Sequence, residues 1–202
     1  MTETEELKIR KLRIKCFDNS FHSFGKAYIF EKRTQHFNRL INFLTVLGII
    51  VPVAVGGTVL GYGIDNEFLK LLITVAIPVS TIQLLISIFS VVYKWSDEMA
   101  YANETVQDHY YLSERFKKIA EFSPESYVEF DHSFELLNTR LKARTEQDSK
   151  HNVKEWELRM GMRYALREFQ KQCVGCSKTP TSMEYSDCDV CGKFKDTLYN
   201  RL

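Results

Sequence analysis

The sequence predicts an all-α chain: a pair of long apolar helices, further amphipathic helices, and a short cysteine-rich tail. Three observations carry this. Residues 40–64 hold no charged side chain for 25 positions, and residues 71–93 hold none for 23. Most of the remaining chain repeats its apolar residues at intervals of three and four, the helical period. Four of the five cysteines fall as two CxxC pairs near the C-terminal end. With 202 residues, 45% hydrophobic and 26% charged, the chain is too apolar to be disordered. Its net charge of +1 gives no bulk electrostatic reason to expect nucleic-acid binding.

Residues 1–17 form a charged segment carrying Leu7, Ile9, Leu12 and Ile14. The first 39 residues hold nine Lys/Arg and five Asp/Glu. Such a segment suits an anionic leaflet or the surface of a helical bundle. Residues 21–39 read as helix leading directly into the first apolar run.

A helix rises about 1.5 Å per residue, so each apolar run reaches ~35 Å, enough for a ~30 Å hydrocarbon core. The first run lies behind a long charged segment, unlike a signal peptide. Spans are therefore expected at about 40–63 and 71–93, joined by a tight turn over residues 65–70. Lys26, Lys32, Arg33 and Arg39 precede the first span, whereas the turn holds only Lys70. The positive-inside rule then puts both termini in the cytoplasm. Gly57 and Gly61 make a GxxxG in the first span, a spacing that lets helices approach closely. In the second, Ser80, Gln83, Ser87 and Ser90 form one polar stripe. That stripe is either hydrogen-bonded packing between helices or the lining of a pore built from several copies. Pro52 and Pro78 each remove a backbone donor from a span.

After the second span the helix is expected to continue, with Trp95, Met99, Ala102, Val106, Tyr110, Phe116 and Ile119 on one face. Ser123 and Pro124 read as the cap and first position of the next helix. Within it, Tyr127, Phe130, Phe134, Leu137 and Leu141 form a seam that needs a partner. A third helix is expected from Asp148 or Ser149 to Gln172. Arg159, Arg163 and Arg167 align along it, more as a solvated or salt-bridged row than as an anion site. The five histidines show no ligand spacing and read as ordinary surface or helix-face residues.

Cys173, Cys176, Cys188 and Cys191 form CxxC pairs separated by eleven residues. Two such turns can converge four thiolates on one tetrahedral Zn²⁺ with Zn–S near ~2.3 Å. Gly192 is expected to supply a positive-φ turn after the second pair. A closed four-thiolate site has no open position, so it is structural. Thiolates persist in a reducing cytosol, which agrees with the predicted topology. Cys16 reads as an unpaired, partly buried thiol. No HExxH, GxSxG or Walker pattern occurs, so no enzyme is expected. The divisions implied are N-terminal helices at 1–38, a hairpin at 39–95, cytosolic helices at 96–172 and a zinc tail at 173–202.

The segment GKAYIFEKRTQHFNRLINFL, two spans with a tight acidic turn, amphipathic helices and a CxxC-x11-CxxC tail together resemble the SLATT family. More narrowly, they resemble its subgroup found on bacterial mobile elements. The resemblance covers roughly residues 20–192. It implies a two-span, inner-membrane effector of prokaryotic conflict systems that oligomerises into a pore. It implies a trigger, a nucleotide second messenger or a sensor protein, acting through the cytosolic domain. The rival reading is a membrane-anchored adaptor whose zinc tail binds a protein or, less readily, nucleic acid.

Overall fold

The computed structural model describes residues 3–63, 67–124 and 126–194. Among the described residues five helices follow one another: α1 (Glu3–Tyr62), α2 (Glu67–Val92), α3 (Trp95–Glu121), α4 (Tyr127–Ser149) and α5 (Glu155–Glu168). No strand occurs among the described residues. The chain divides into two compact units, one of Met1–Lys32 with Ala102–Leu202, the other of Arg33–Tyr101.

The unit of residues 33–101 is a helical hairpin. Both of its helices are long and apolar enough to cross a membrane, with none of their most apolar windows buried. Leu60 is 90% exposed and Val91 78%. The hydroxyls of Thr45, Thr58, Thr74 and Thr81 donate to the carbonyls four residues earlier, so each is satisfied inside its own helix. Gln83 Nε2 donates to the Leu44 carbonyl at 3.2 Å. A Cβ on Gly48 would lie 2.9 Å from that same nitrogen, so glycine makes room for the bond. Pro52 and Pro78 both lie inside helices. Gly63, at φ 78°, ends α1 with its N–H on the Val59 carbonyl.

Two expectations change here. Of the turn placed at 65–70, residues 65 and 66 lie outside the described residues, and Glu67 to Lys70 already belong to α2. Glu67 in the first turn complements the positive end of the helix dipole. Nor does the second apolar helix run on into α3. Lys94 takes φ 51° and breaks the ladder, its N–H bonding the Val91 carbonyl at 3.1 Å. Asp97 and Glu98 then favour a new helix start.

In the other unit α1, α3 and α4 pack as three helices. Ile9, Leu12 and Cys16 of α1 meet Leu112, Phe116 and Ala120 of α3 and Phe130 and Phe134 of α4. The N-terminal segment is thus a wall of this bundle, although Leu7 and Ile14 stay exposed. The predicted seam is found: Tyr127, Leu137 and Leu141 flank the two buried phenylalanines. It continues at the same spacing as Arg144 and Asp148, both buried. On α3 the inward face is Ala102, Thr105, His109, Leu112, Phe116 and Ala120, shifted from the predicted one. His109 is therefore fully buried rather than superficial, its Nε2 2.7 Å from Asp148 Oδ2.

The helix boundaries also move. Ser126, not Ser123, is the N-cap of α4, its carbonyl accepting the Phe130 N–H. The Ser123 hydroxyl instead accepts from Arg13. Glu125 lies outside the described residues. Asp148 and Ser149 close α4 rather than open the next helix. Asn152, at φ 42°, turns the chain, and α5 begins after Lys154 with the Glu157 carboxylate accepting the Lys154 N–H at 2.8 Å.

Helix α5 crosses α1 at two glycines. A Cβ on Gly161 would lie 2.5 Å from the Gly25 carbonyl oxygen, and one on Gly25 2.9 Å from the Gly161 oxygen. Mid-helix glycine costs about 1 kcal/mol relative to alanine, so this close approach explains its presence. Gly161→Ala is expected to destabilise the chain by about 1–3 kcal/mol through overpacking, read as a lower midpoint of thermal unfolding in detergent. Gly57→Ala and Gly61→Ala, whose Cβ atoms would meet nothing described within 4 Å, are expected to change it by under ~0.5 kcal/mol.

Candidate metal centre

Helix α5 ends at Glu168, and the chain from there to Phe194 forms turns rather than helix. Two of these turns carry the CxxC pairs. In the first, the Ser177 N–H returns to the Cys173 carbonyl at 2.8 Å. In the second, the Gly192 N–H returns to the Cys188 carbonyl at 2.8 Å. At these two turns the positive-φ residues are Ser177 (55°) and Lys193 (50°). Gly192 is not among them, against expectation. Its reason is space, because a Cβ there would strike the Ser186 carbonyl.

The sulfurs of Cys173, Cys176, Cys188 and Cys191 all lie within 4.8 Å of one another. Cys173 Sγ is 3.8 Å from Cys188 Sγ, and Cys176 Sγ is 3.8 Å from Cys191 Sγ. A tetrahedron with bonds of ~2.3 Å has edges of ~3.8 Å, so these separations fit four thiolates around one zinc ion. Backbone N–H groups also face the sulfurs, as at Gly175, 3.4 Å from Cys173 Sγ. Such donors stabilise thiolate charge. The donor set and spacing are consistent with metal binding, and zinc suits them best. Bound there, zinc would cross-link the two turns without an open coordination position.

The protein around the sulfurs is built from α1 and α5. Cys173 and Cys191 are buried in one cluster with Phe21, Ala165 and Leu166. Cys176 and Cys188 are half-buried at its rim. N–H groups of Cys191 and Val190 on the Cys188 sulfur bring its pKa down to about 7. Burial, first among the causes, pushes the Cys191 thiol up. Cys16 lies apart, fully buried in the three-helix core, and its thiol is pushed up to about 12 by burial.

Two members of the arginine row, Arg159 and Arg163, hold the tail. Arg163 is buried and donates to the Ser182 carbonyl at 2.8 Å, Ser186 Oγ at 3.1 Å and the Cys191 carbonyl at 3.3 Å. Arg159 pairs with Glu155 at 2.8 Å and reaches the Lys193 carbonyl at 3.4 Å. Arg167 pairs with Glu168 and stacks over Tyr164. The row is thus satisfied by carboxylates and tail carbonyls. Sequence reasoning missed Arg163, Phe21 and Phe194 as parts of the site. The four-residue arginine spacing was the available signal, but nothing local linked it to the tail.

The other predicted positions lie in the hairpin. Gln83 and Ser87 line, with Ser80, a groove of about 670 Å³ beside Gly48 and Pro52. Ser90 is half-buried. Gly57 and Gly61 face open space within the chain.

An all-helical chain with two long apolar helices and a C-terminal four-thiol cluster defines a small class of protein. This chain belongs to the family described as Mobilome CxxCx(11)CxxC protein, whose model matches residues 13–194. No curated protein and no solved structure matches it.

Metal-free protein treated with iodoacetamide at pH 7.5 is expected to be modified at Cys188 before Cys16, as read by peptide mass spectrometry. Because the folded pKa of Cys188 is lowered, its thiolate is favoured at higher pH and lost as pH falls through about 7. Labelling at pH 6 should therefore be on the order of tenfold slower.

Proposed function

We propose that this chain is a two-span protein of the bacterial inner membrane, carried by mobile elements and organised by a structural Zn²⁺ on Cys173, Cys176, Cys188 and Cys191. It acts as an effector: hairpins from several copies associate and perturb the membrane, under control of the helical cytosolic unit. The observation that carries this is the hairpin itself. Both helices expose apolar side chains along their length, with their threonine hydroxyls satisfied internally. In water such a surface is a liability, whereas in lipid it is a solvated one. The basic flank at Lys26, Lys32, Arg33 and Arg39, read with the positive-inside rule, supports a hairpin whose two ends face the cytoplasm. Two helices enclose no channel, so conduction needs an oligomer. The family's association with mobile elements and the resemblance to SLATT proteins support an effector in a conflict system, triggered by a nucleotide second messenger or a sensor protein. The tail is a structural zinc site and not a catalytic one.

One observation favours a second reading. Gln83, the centre of the polar stripe, is bonded to Leu44 within its own hairpin. A stripe used for internal packing suits a membrane-anchored adaptor whose tail binds a protein.

The test is membrane potential, followed by a voltage-sensitive dye, in bacteria induced to express the chain alone or with its trigger. The wild type is expected to depolarise the cell. Ser80→Leu with Ser87→Leu, expressed to the same level in the membrane fraction, is expected to reduce the effect at least several-fold. An unchanged potential in every condition that recruits the protein would exclude the effector reading in favour of the adaptor. Metal analysis should find one zinc per chain, and Cys173→Ser with Cys188→Ser should abolish it.

A further inference from the structure

The tail has no helix or strand of its own between Lys171 and Phe194, yet it grips two helices. Arg163 of α5 holds it just before and at the end of the second CxxC pair, at Ser182, Ser186 and Cys191. The thiol cluster closes over Phe21 of α1. Three residues past Cys191, Phe194 is 1% exposed and packs with Tyr28 of α1 and Met160 of α5. On α1 these contacts flank the Gly25–Gly161 crossing, Phe21 four residues before Gly25 and Tyr28 three after it. A handful of turn hydrogen bonds joins the tail's backbone to itself. Among the described residues no backbone hydrogen bond joins one CxxC turn to the other, so a bound metal would be their cross-link.

We propose that the tail is a metal-dependent clasp on α1. This rests on the zinc reading above and adds what the zinc controls. With zinc bound, the second turn is fixed against the first, and Phe194 is seated on Tyr28. Residues 21–28 of α1 are thereby held against α5 at the glycine crossing. Without zinc the tail loses its cross-link, Phe194 leaves its site, and this stretch of α1 loses one of its walls. Metal loading is thus a control on how residues 21–28 of α1 are held, exerted from the tail.

The experiment is hydrogen–deuterium exchange by mass spectrometry on the full chain in detergent. It compares protein as purified, after removal of zinc with a chelator, and after zinc is restored. Metal content is measured at each stage. Removing zinc is expected to speed exchange about tenfold or more in peptides from residues 19–30 and 155–168, since local opening governs exchange. Peptides from 9–16 and 127–141 should keep their protection, and restored zinc should reverse the change. Phe194→Ala should keep one zinc per chain but lose protection at residues 24–30. If zinc is present and its removal loosens only 173–194, the clasp is wrong while the zinc site stands. If Phe194→Ala leaves residues 24–30 protected, the clasp is wrong as well. A chain that neither carries zinc nor gains protection from it overturns both readings.

Discussion

Helix α1 is the wall shared by every apolar cluster in the unit it forms with α3, α4, α5 and the tail. Ile9, Leu12 and Cys16 belong to the core with α3 and α4. Phe21 belongs to the cluster around the thiols. Tyr28 belongs to the cluster that takes Phe194. One helix can serve three partners in turn because its inward face rotates little over each short stretch, so successive turns meet different neighbours. Any change in how α1 sits is therefore felt by the bundle, the α5 crossing and the metal centre together.

The three-helix bundle is not uniform along its length. At one end its contacts are apolar, centred on Phe116, Phe130 and Phe134. Midway, Ser20 and Ser113 exchange hydrogen bonds to each other's carbonyls at 2.8 and 2.9 Å. At the other end Arg144 meets Glu104 at 2.9 Å, Asp108 at 3.2 Å and Asp148 at 3.4 Å, and also bonds Thr105. Of these only the Arg144–Asp148 pair is buried on both sides, and a buried pair adds little net stability although removing one partner is costly. Through Glu104 and Asp108, Arg144 ties α4 to α3.

Much was legible because it depends on short stretches of chain. The uncharged runs, the phenylalanine seam and the paired cysteines each state their requirement locally. Residues that failed to stand out serve distant partners. His109 looked superficial because its acid, Asp148, is 39 residues away. Arg163 looked like one of a solvated row because its acceptors are tail carbonyls, and any residue type supplies a carbonyl. Gly161 looked like a weak point in a helix because the atom it makes room for belongs to Gly25. The helix break at Lys94 was hidden because lysine rarely adopts positive φ, so composition gives no warning of it.

By itself, the sequence determined the all-helical class, two helices that water alone cannot solvate well, and a four-thiol set suited to one metal. These follow from hydropathy, period and spacing, which are properties of neighbouring residues. Only the tertiary structure decided that the thiol cluster is built into the wall of α1 and that Arg163, with Arg159, serves the tail. It alone decided that the polar stripe spends its amide inside the hairpin. Each of these is a choice among partners far apart in the chain, settled by which surfaces fit once the helices have packed.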